Sequence, residues 1–200
     1  MGTLNASQAA ALTATQIGSV SPTQLAAMSP TAFASLSSAA LSALSSTQLN
    51  SITPGQFSNL SQTQLAQLTP AQIGAISYAG INSLSTSAFT SLSTAQIGGL
   101  TIMQLSGLSS TKARQLTTTQ ISQLSAGQFA RLTAQAINNL SSEQIAVITP
   151  AQLGALDVSR LKDLSTAFIN SLTAAQFAGL KPNSAYLNAT NRGILFGKYA

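Results

Sequence analysis

Large apolar residues recur every eight positions along this chain, without insertion or deletion from Leu4 to Gly179. Stepping by eight from Leu4 gives Leu12, Val20, Met28, Leu36 and onward to Leu172, twenty-two positions, all of them apolar. A second large apolar residue stands at the sixth place of twenty octads, as in Ile17, Leu25, Phe33 and Phe57; Ala9 and Ala113 are the exceptions. The polar positions are as regular. The second place is Ser or Thr in twenty octads and Asn5 or Asp157 in the other two, and the fifth place is Gln in fourteen. Residues Leu60 to Ala75 show the pattern in two consecutive copies, LSQTQLAQ and LTPAQIGA.

Each polar position has a physical reading. Ser, Thr, Asn and Asp are the preferred residues just before a helix, because their side-chain oxygen accepts from a free N–H of the first turn. A Gln three residues later completes a capping box by reaching back to the cap N–H. Pro22, Pro30, Pro54, Pro70 and Pro150 all occupy the third place, directly after the cap. Proline is tolerated at the first helical position and damaging further in. Each octad therefore predicts one capped helix of about six residues, roughly 9 Å long. One continuous helix is excluded, because the prolines would break it and an eight-residue step drifts about 80° around a helix. A β-solenoid is the alternative, although its strands require period-two alternation.

Helices this short do not hold alone, since nucleation costs more than their few hydrogen bonds return. They must stack into a quasi-one-dimensional core. The expectation is an all-α solenoid of very short capped helices, one per octad. Five of the octads that lack Gln, those with Ala40, Ala88, Lys112, Ala136 and Arg160, fall in one class of every third octad. That points to three octads per turn, about seven layers spaced roughly 10 Å, and a rod on the order of 70 Å long. The domain reading is a lead at residues 1–3, the array at 4–179 and a distinct tail at 180–200.

The tail breaks the pattern. Lys181 replaces the cap and Ala185 replaces the large apolar residue, while Lys181, Tyr186, Arg192, Phe196, Lys198 and Tyr199 gather there. It reads either as a terminal cap over the last octads, as solenoids require, or as a docking segment for another molecule; those six residues are the candidate assembly site. Asn188-Ala189-Thr190 matches a glycosylation acceptor over three residues only, and reads first as a polar turn.

Composition narrows the function. Charged residues make up 6% of the chain, none precedes Lys112, and the net charge is +5. No basic cluster converges on a phosphate backbone, so nucleic acid is not an expected partner. There is no Cys and no His, so thiol chemistry, disulfides and imidazole catalysis are absent. The three carboxylates are Glu143, Asp157 and Asp163; Asp157 holds a cap place and the other two read as solvated surface. Lys112 and Arg114 recur in register as Arg160 and Lys162, six octads on, and could form two basic surface spots. No catalytic residue, metal ligand or cofactor site is expected, and no enzyme activity. No apolar run is long enough for a membrane span. The opening residues lack the features of a cleaved signal peptide, and Ala6 stands where a myristoylation motif after Gly2 wants Ser or Thr.

Tandem octads such as Leu68-Thr69-Pro70-Ala71-Gln72-Ile73-Gly74-Ala75 resemble the L-T-x-x-Q-I-x-x arrays of large bacterial repeat proteins of the secreted and cell-surface kind. The resemblance covers residues 4–179. It implies an extracellular or cell-surface location. The same residues also resemble the opening of repeats in TAL-type DNA-binding effectors, whose repeat is several times longer and whose base-reading loop has no counterpart here. Sequence and resemblance together lead to a non-enzymatic structural repeat protein that self-associates into an extracellular filament or forms a surface or adhesin rod. The alternative is a solenoid binding module for a peptide, glycan or protein partner, marked by exposed aromatic or charged residues on one face.

Overall fold

The computed structural model describes residues 4–199, and the lead assigned to residues 1–3 lies outside them. Every octad forms one helix of four to seven residues, from α1 (Ala6–Ala10) to α22 (Ala174–Leu180). No strand occurs among the described residues, which removes the β-solenoid alternative. No helix among them is long and apolar enough to cross a membrane.

The caps act as the residue types demand. In α8 (Gln62–Ala66) the Ser61 hydroxyl accepts from the Gln64 N–H at 3.2 Å. The Gln64 Oε1 accepts from the Ser61 N–H at 2.9 Å. All fourteen fifth-place glutamines close this box. Pro22, Pro30, Pro54, Pro70 and Pro150 each sit in the first helical turn. α1 to α21 each end one to three residues before the first-place residue of the next octad, whose N–H closes the helix; the Leu68 N–H, for example, donates to the Leu65 carbonyl at 3.0 Å. The next cap is extended and starts the following helix.

The chain divides into two compact units, Met1–Gln104 and Leu105–Ala200. Within each, a helix packs against the helix three further on. In the first unit α1 packs on α4 (Pro30–Ala34), α2 (Ala14–Gly18) on α5 (Ser38–Ser42), and so on to α9 (Pro70–Ala75) on α12 (Thr94–Gly98). In the second, α14 (Ser110–Ala113) packs on α17 (Ala134–Asn138), and α19 (Pro150–Gly154) on α22. One turn is therefore three octads. The first-place and sixth-place residues line its inside; Leu36, Ile73, Phe89, Leu132 and Ile169 are all buried.

Glutamine also joins one turn to the next. While Gln56 Oε1 serves the cap, its Nε2 donates to the carbonyls of Leu25 at 2.7 Å and Met28 at 2.9 Å, in the preceding turn. Gln96 bridges to Leu65 and Leu68 at 2.8 Å each, and Gln176 to Ile145 and Ile148 at 2.7 and 2.9 Å. These carbonyls lie where one helix ends and the next begins, so the amide fills acceptors that a short helix leaves open. The side chain is consequently out of water: Gln56 is 0% exposed. Gln8, Gln16 and Gln24, in the first three octads, close their caps but are exposed.

In two octads that lack the glutamine, another residue takes over. Phe168 stands in its place in α21 (Thr166–Ser171), and the Ser165 N–H donates instead to Asn138 Oδ1 at 2.8 Å. Asn138 Nδ2 in turn donates to the Asp163 carbonyl at 2.9 Å. Arg160 holds the same place in α20 (Val158–Lys162) and donates from Nε to the Leu132 carbonyl at 3.3 Å. The tightest contacts at glycine are at Gly99 and Gly179. A Cβ on Gly99 would overlap the Pro70 carbonyl, where α12 crosses α9, and one on Gly179 would overlap the Pro150 carbonyl, where α22 crosses α19.

Candidate functional site

The third place of an octad follows the cap, on the outside of the turn. Tyr78 holds it in α10 (Tyr78–Ser83), and Ile102 holds it three octads later in α13 (Ile102–Ser106). Met103 follows Ile102, and the three side chains face outward, exposed to 54%, 57% and 75%. A cleft of about 450 Å³ opens beside them, lined by Tyr78, Met103, Gly74, Ala75, Ile76, Ser77, Asn50, Thr101 and Gln104, all within the first unit.

The local sequence accounts for the recess. Gly74 contributes no side chain to its wall. Gly80 takes the glutamine place of α10, where a Cβ would strike the Phe57 ring at 2.6 Å. The Ser77 N–H thus lacks the glutamine acceptor. Asn50 stands to Ser77 as Asn138 stands to Ser165 in the second unit, the same separation along the chain. Asn50 does not bond to Ser77; it is exposed, and both residues line the cleft. The cleft is electrically neutral, since no charged residue precedes Lys112. Such a surface can receive an apolar group rimmed by a few hydrogen bonds.

The six tail residues are placed in two ways. After α22 comes a 3₁₀ turn (Lys181–Tyr186), then α23 (Ala189–Tyr199), which packs back on α21 and α22. Lys198 Nζ donates to the carbonyls of Asn170 at 2.8 Å and Leu172 at 3.3 Å, and the Tyr199 hydroxyl donates to the Leu172 carbonyl. Phe196 meets Phe177 edge-on at 5.8 Å between ring centres, and Tyr199 stacks on Phe177 at 5.5 Å. These three side chains are thus engaged with the array. Lys181, Tyr186 and Arg192 are exposed, and Arg192 donates to the nearby Ala185 carbonyl at 3.2 Å. Asn188 of the acceptor triplet caps α23, accepting from the Asn191 N–H at 2.8 Å.

In the second unit Asp157, Arg160 and Lys112 are likewise engaged within the fold. Asp157 caps α20, and its Oδ2 pairs with Arg160 at 2.7 Å. Desolvation pushes the Asp157 carboxyl up, but hydrogen bonds from Ser159 and Arg160, with the Arg160 charge, outweigh it and hold it below its ordinary value. The exposed Glu143 carboxyl is lowered by hydrogen bonds from its own backbone, Ser141 and Ser142. Lys112 is not a surface charge: it lies in the glutamine place, 4% exposed, with Nζ donating to Gln115 Oε1 at 2.8 Å. Burial lowers its ammonium below the usual range. The two basic spots suggested by the register of Lys112 and Arg160 therefore do not form a matched pair on the surface.

Sequence reasoning overlooked Tyr78, Ile102 and Met103 as a group. The signal was present: two large apolar residues, Tyr78 and Ile102, at a place otherwise held mostly by small residues and proline, three octads apart. No family model, no curated protein and no solved structure matches this chain.

Proposed function

We propose that this is a non-enzymatic structural repeat protein that self-associates, as a subunit of an extracellular filament or as a surface stalk. One observation carries the reading: most of the fifth-place glutamines, Gln48, Gln56, Gln96 and Gln176 among them, use both ends of their amide within the fold, caps on one side and the neighbouring turn on the other. The polar side chains that recur most are thereby committed to architecture. The carboxylate nearest to a cation, Asp157, is committed to a cap and an ion pair. The first 111 residues carry no charge, and a neutral surface offers little resistance to association. Electron microscopy of the purified chain across micromolar concentrations tests this. Regular filaments or discrete oligomers that grow with concentration are the expected result. Single particles of one chain at every concentration would overturn it.

The exposed apolar group beside the cleft gives a second reading some weight, a binding module for a neutral partner. A partner that saturates the cleft while the chain stays monomeric would favour that reading.

A further inference from the structure

We infer that the Tyr78–Ile102–Met103 face of the first unit is the surface through which two copies of this chain meet. The inference rests on the self-association proposed above and names the residues that would make it.

Six large apolar side chains are exposed among the described residues, and three of them are these. The others, Val158, Tyr186 and Phe196, lie in the second unit. Scattered exposed apolar residues need no explanation, whereas a contiguous group marks an interaction surface. Tyr78 and Ile102 are at the same place in successive turns, and Met103 adjoins Ile102 and lines the cleft with Tyr78.

The partner has to be neutral at the contact. No ionised side chain lies anywhere in the first unit, so a charged partner would lose hydration there without finding a counter-charge. A second copy of the same face meets that condition. It also meets the requirement of a two-fold contact, in which one patch must be complementary to itself. The face carries both halves of such a fit: Ile102 projects into solvent, and the recess of about 450 Å³ lies beside it. Its rim holds Asn50, whose amide no other described residue engages, as the hydrogen-bonding edge of an apolar contact. The tail is the weaker rival, since Phe196, Lys198 and Tyr199 are turned onto α21 and α22.

Sedimentation velocity of the full chain, from micromolar to millimolar, tests the assignment with three variants. Ile102→Glu places a charge at the centre of the face, at the first position of a helix where an acidic residue suits the dipole. Met103→Lys does so independently at the most exposed of the three side chains. Tyr186→Ser alters the tail. Circular dichroism checks that each variant folds. The expected result is association of the unaltered chain, weakened at least about tenfold by each of the first two changes and untouched by the third. Association that persists in both face variants would overturn the assignment and leave self-association standing. Loss of association in Tyr186→Ser alone would transfer the contact to the tail and overturn it equally. An unaltered chain that stays monomeric throughout would defeat self-association itself, and the assignment with it.

Discussion

Replacing Gln56 with glutamate separates the two jobs of the fifth-place side chain. The substitution is isosteric and keeps an oxygen for the Thr53 N–H, which now donates to Gln56 Oε1 at 2.9 Å. Capping boxes accept Glu as readily as Gln, so a side chain that served only the cap would tolerate the change. The bridge would not. The group facing the Leu25 and Met28 carbonyls, at 2.7 and 2.9 Å, changes from a donor to a third acceptor. Leu25 keeps a partial partner, because its carbonyl also accepts from the Met28 N–H at 3.1 Å. One acceptor left open and one weakened, each costing about 1–3 kcal/mol when buried, give a loss of roughly 2–4 kcal/mol at neutral pH. The introduced carboxyl is desolvated and faces two carbonyls, so its folded pKa rises above the ordinary Glu value of about 4.3. The loss is therefore full above that raised value and shrinks as pH falls through it, when a proton returns one donor to the bridge. Gln16→Glu is the control, since Gln16 closes its cap with Thr13 but is exposed; it should leave stability unchanged. Urea denaturation followed by circular dichroism at neutral and acid pH measures both. Equal midpoints for the two variants at neutral pH would refute the bridging role.

Further predictions concern packing, compensation and charge. Gly99→Ala should force α12 off the Pro70 carbonyl and cost about 1–3 kcal/mol, whereas Gly18→Ala, with open space around the added methyl, should gain up to roughly 1 kcal/mol from helix propensity; thermal unfolding compares them. Asn138→Ala opens both ends of the bridge between the Asp163 carbonyl and the Ser165 N–H, and should lower stability by about 1–3 kcal/mol with faster hydrogen exchange at Ser165. Burial lowers the Lys112 ammonium in the folded chain, so between that lowered value and about 10.4 the unfolded chain binds more protons. Stability should then rise with pH across that window, and Lys112→Met should remove this rise, read as the denaturation midpoint against pH.

Much of the architecture is legible in the octad itself. The cap at the second place, proline only at the third and two apolar residues per octad define where each helix starts, stops and buries its side chains. Three octads per turn also left a trace, because a side chain that bridges turns varies with the period of the turn: Ala40, Ala88, Lys112, Ala136 and Arg160 share one column. The bridge was harder to see. A capping box explains Gln64 or Gln104 in full, so nothing remained to suggest a second partner. The absence of Glu from all twenty-two fifth places was the clue, since only an amide both accepts and donates. Asn138 was illegible for a related reason: its role appears only when the helix one turn away is found to lack a glutamine. The tail was ambiguous because Lys198 and Tyr199 have no octad partner to fix their direction; their acceptors are backbone carbonyls of Asn170 and Leu172, which carry no residue signature. The cleft face depends on neighbours one turn apart and so becomes visible only once the turn is known.

Glutamines join successive turns of three octads. Nuclear Overhauser contacts from the Gln56 side-chain amide protons test that most directly. The expected contacts are to Leu25 and Met28, with the corresponding set from Gln96 to Leu65 and Leu68. Contacts to residues two or four octads away in place of these, or amide protons that exchange as freely as those of the exposed Gln16, would contradict it.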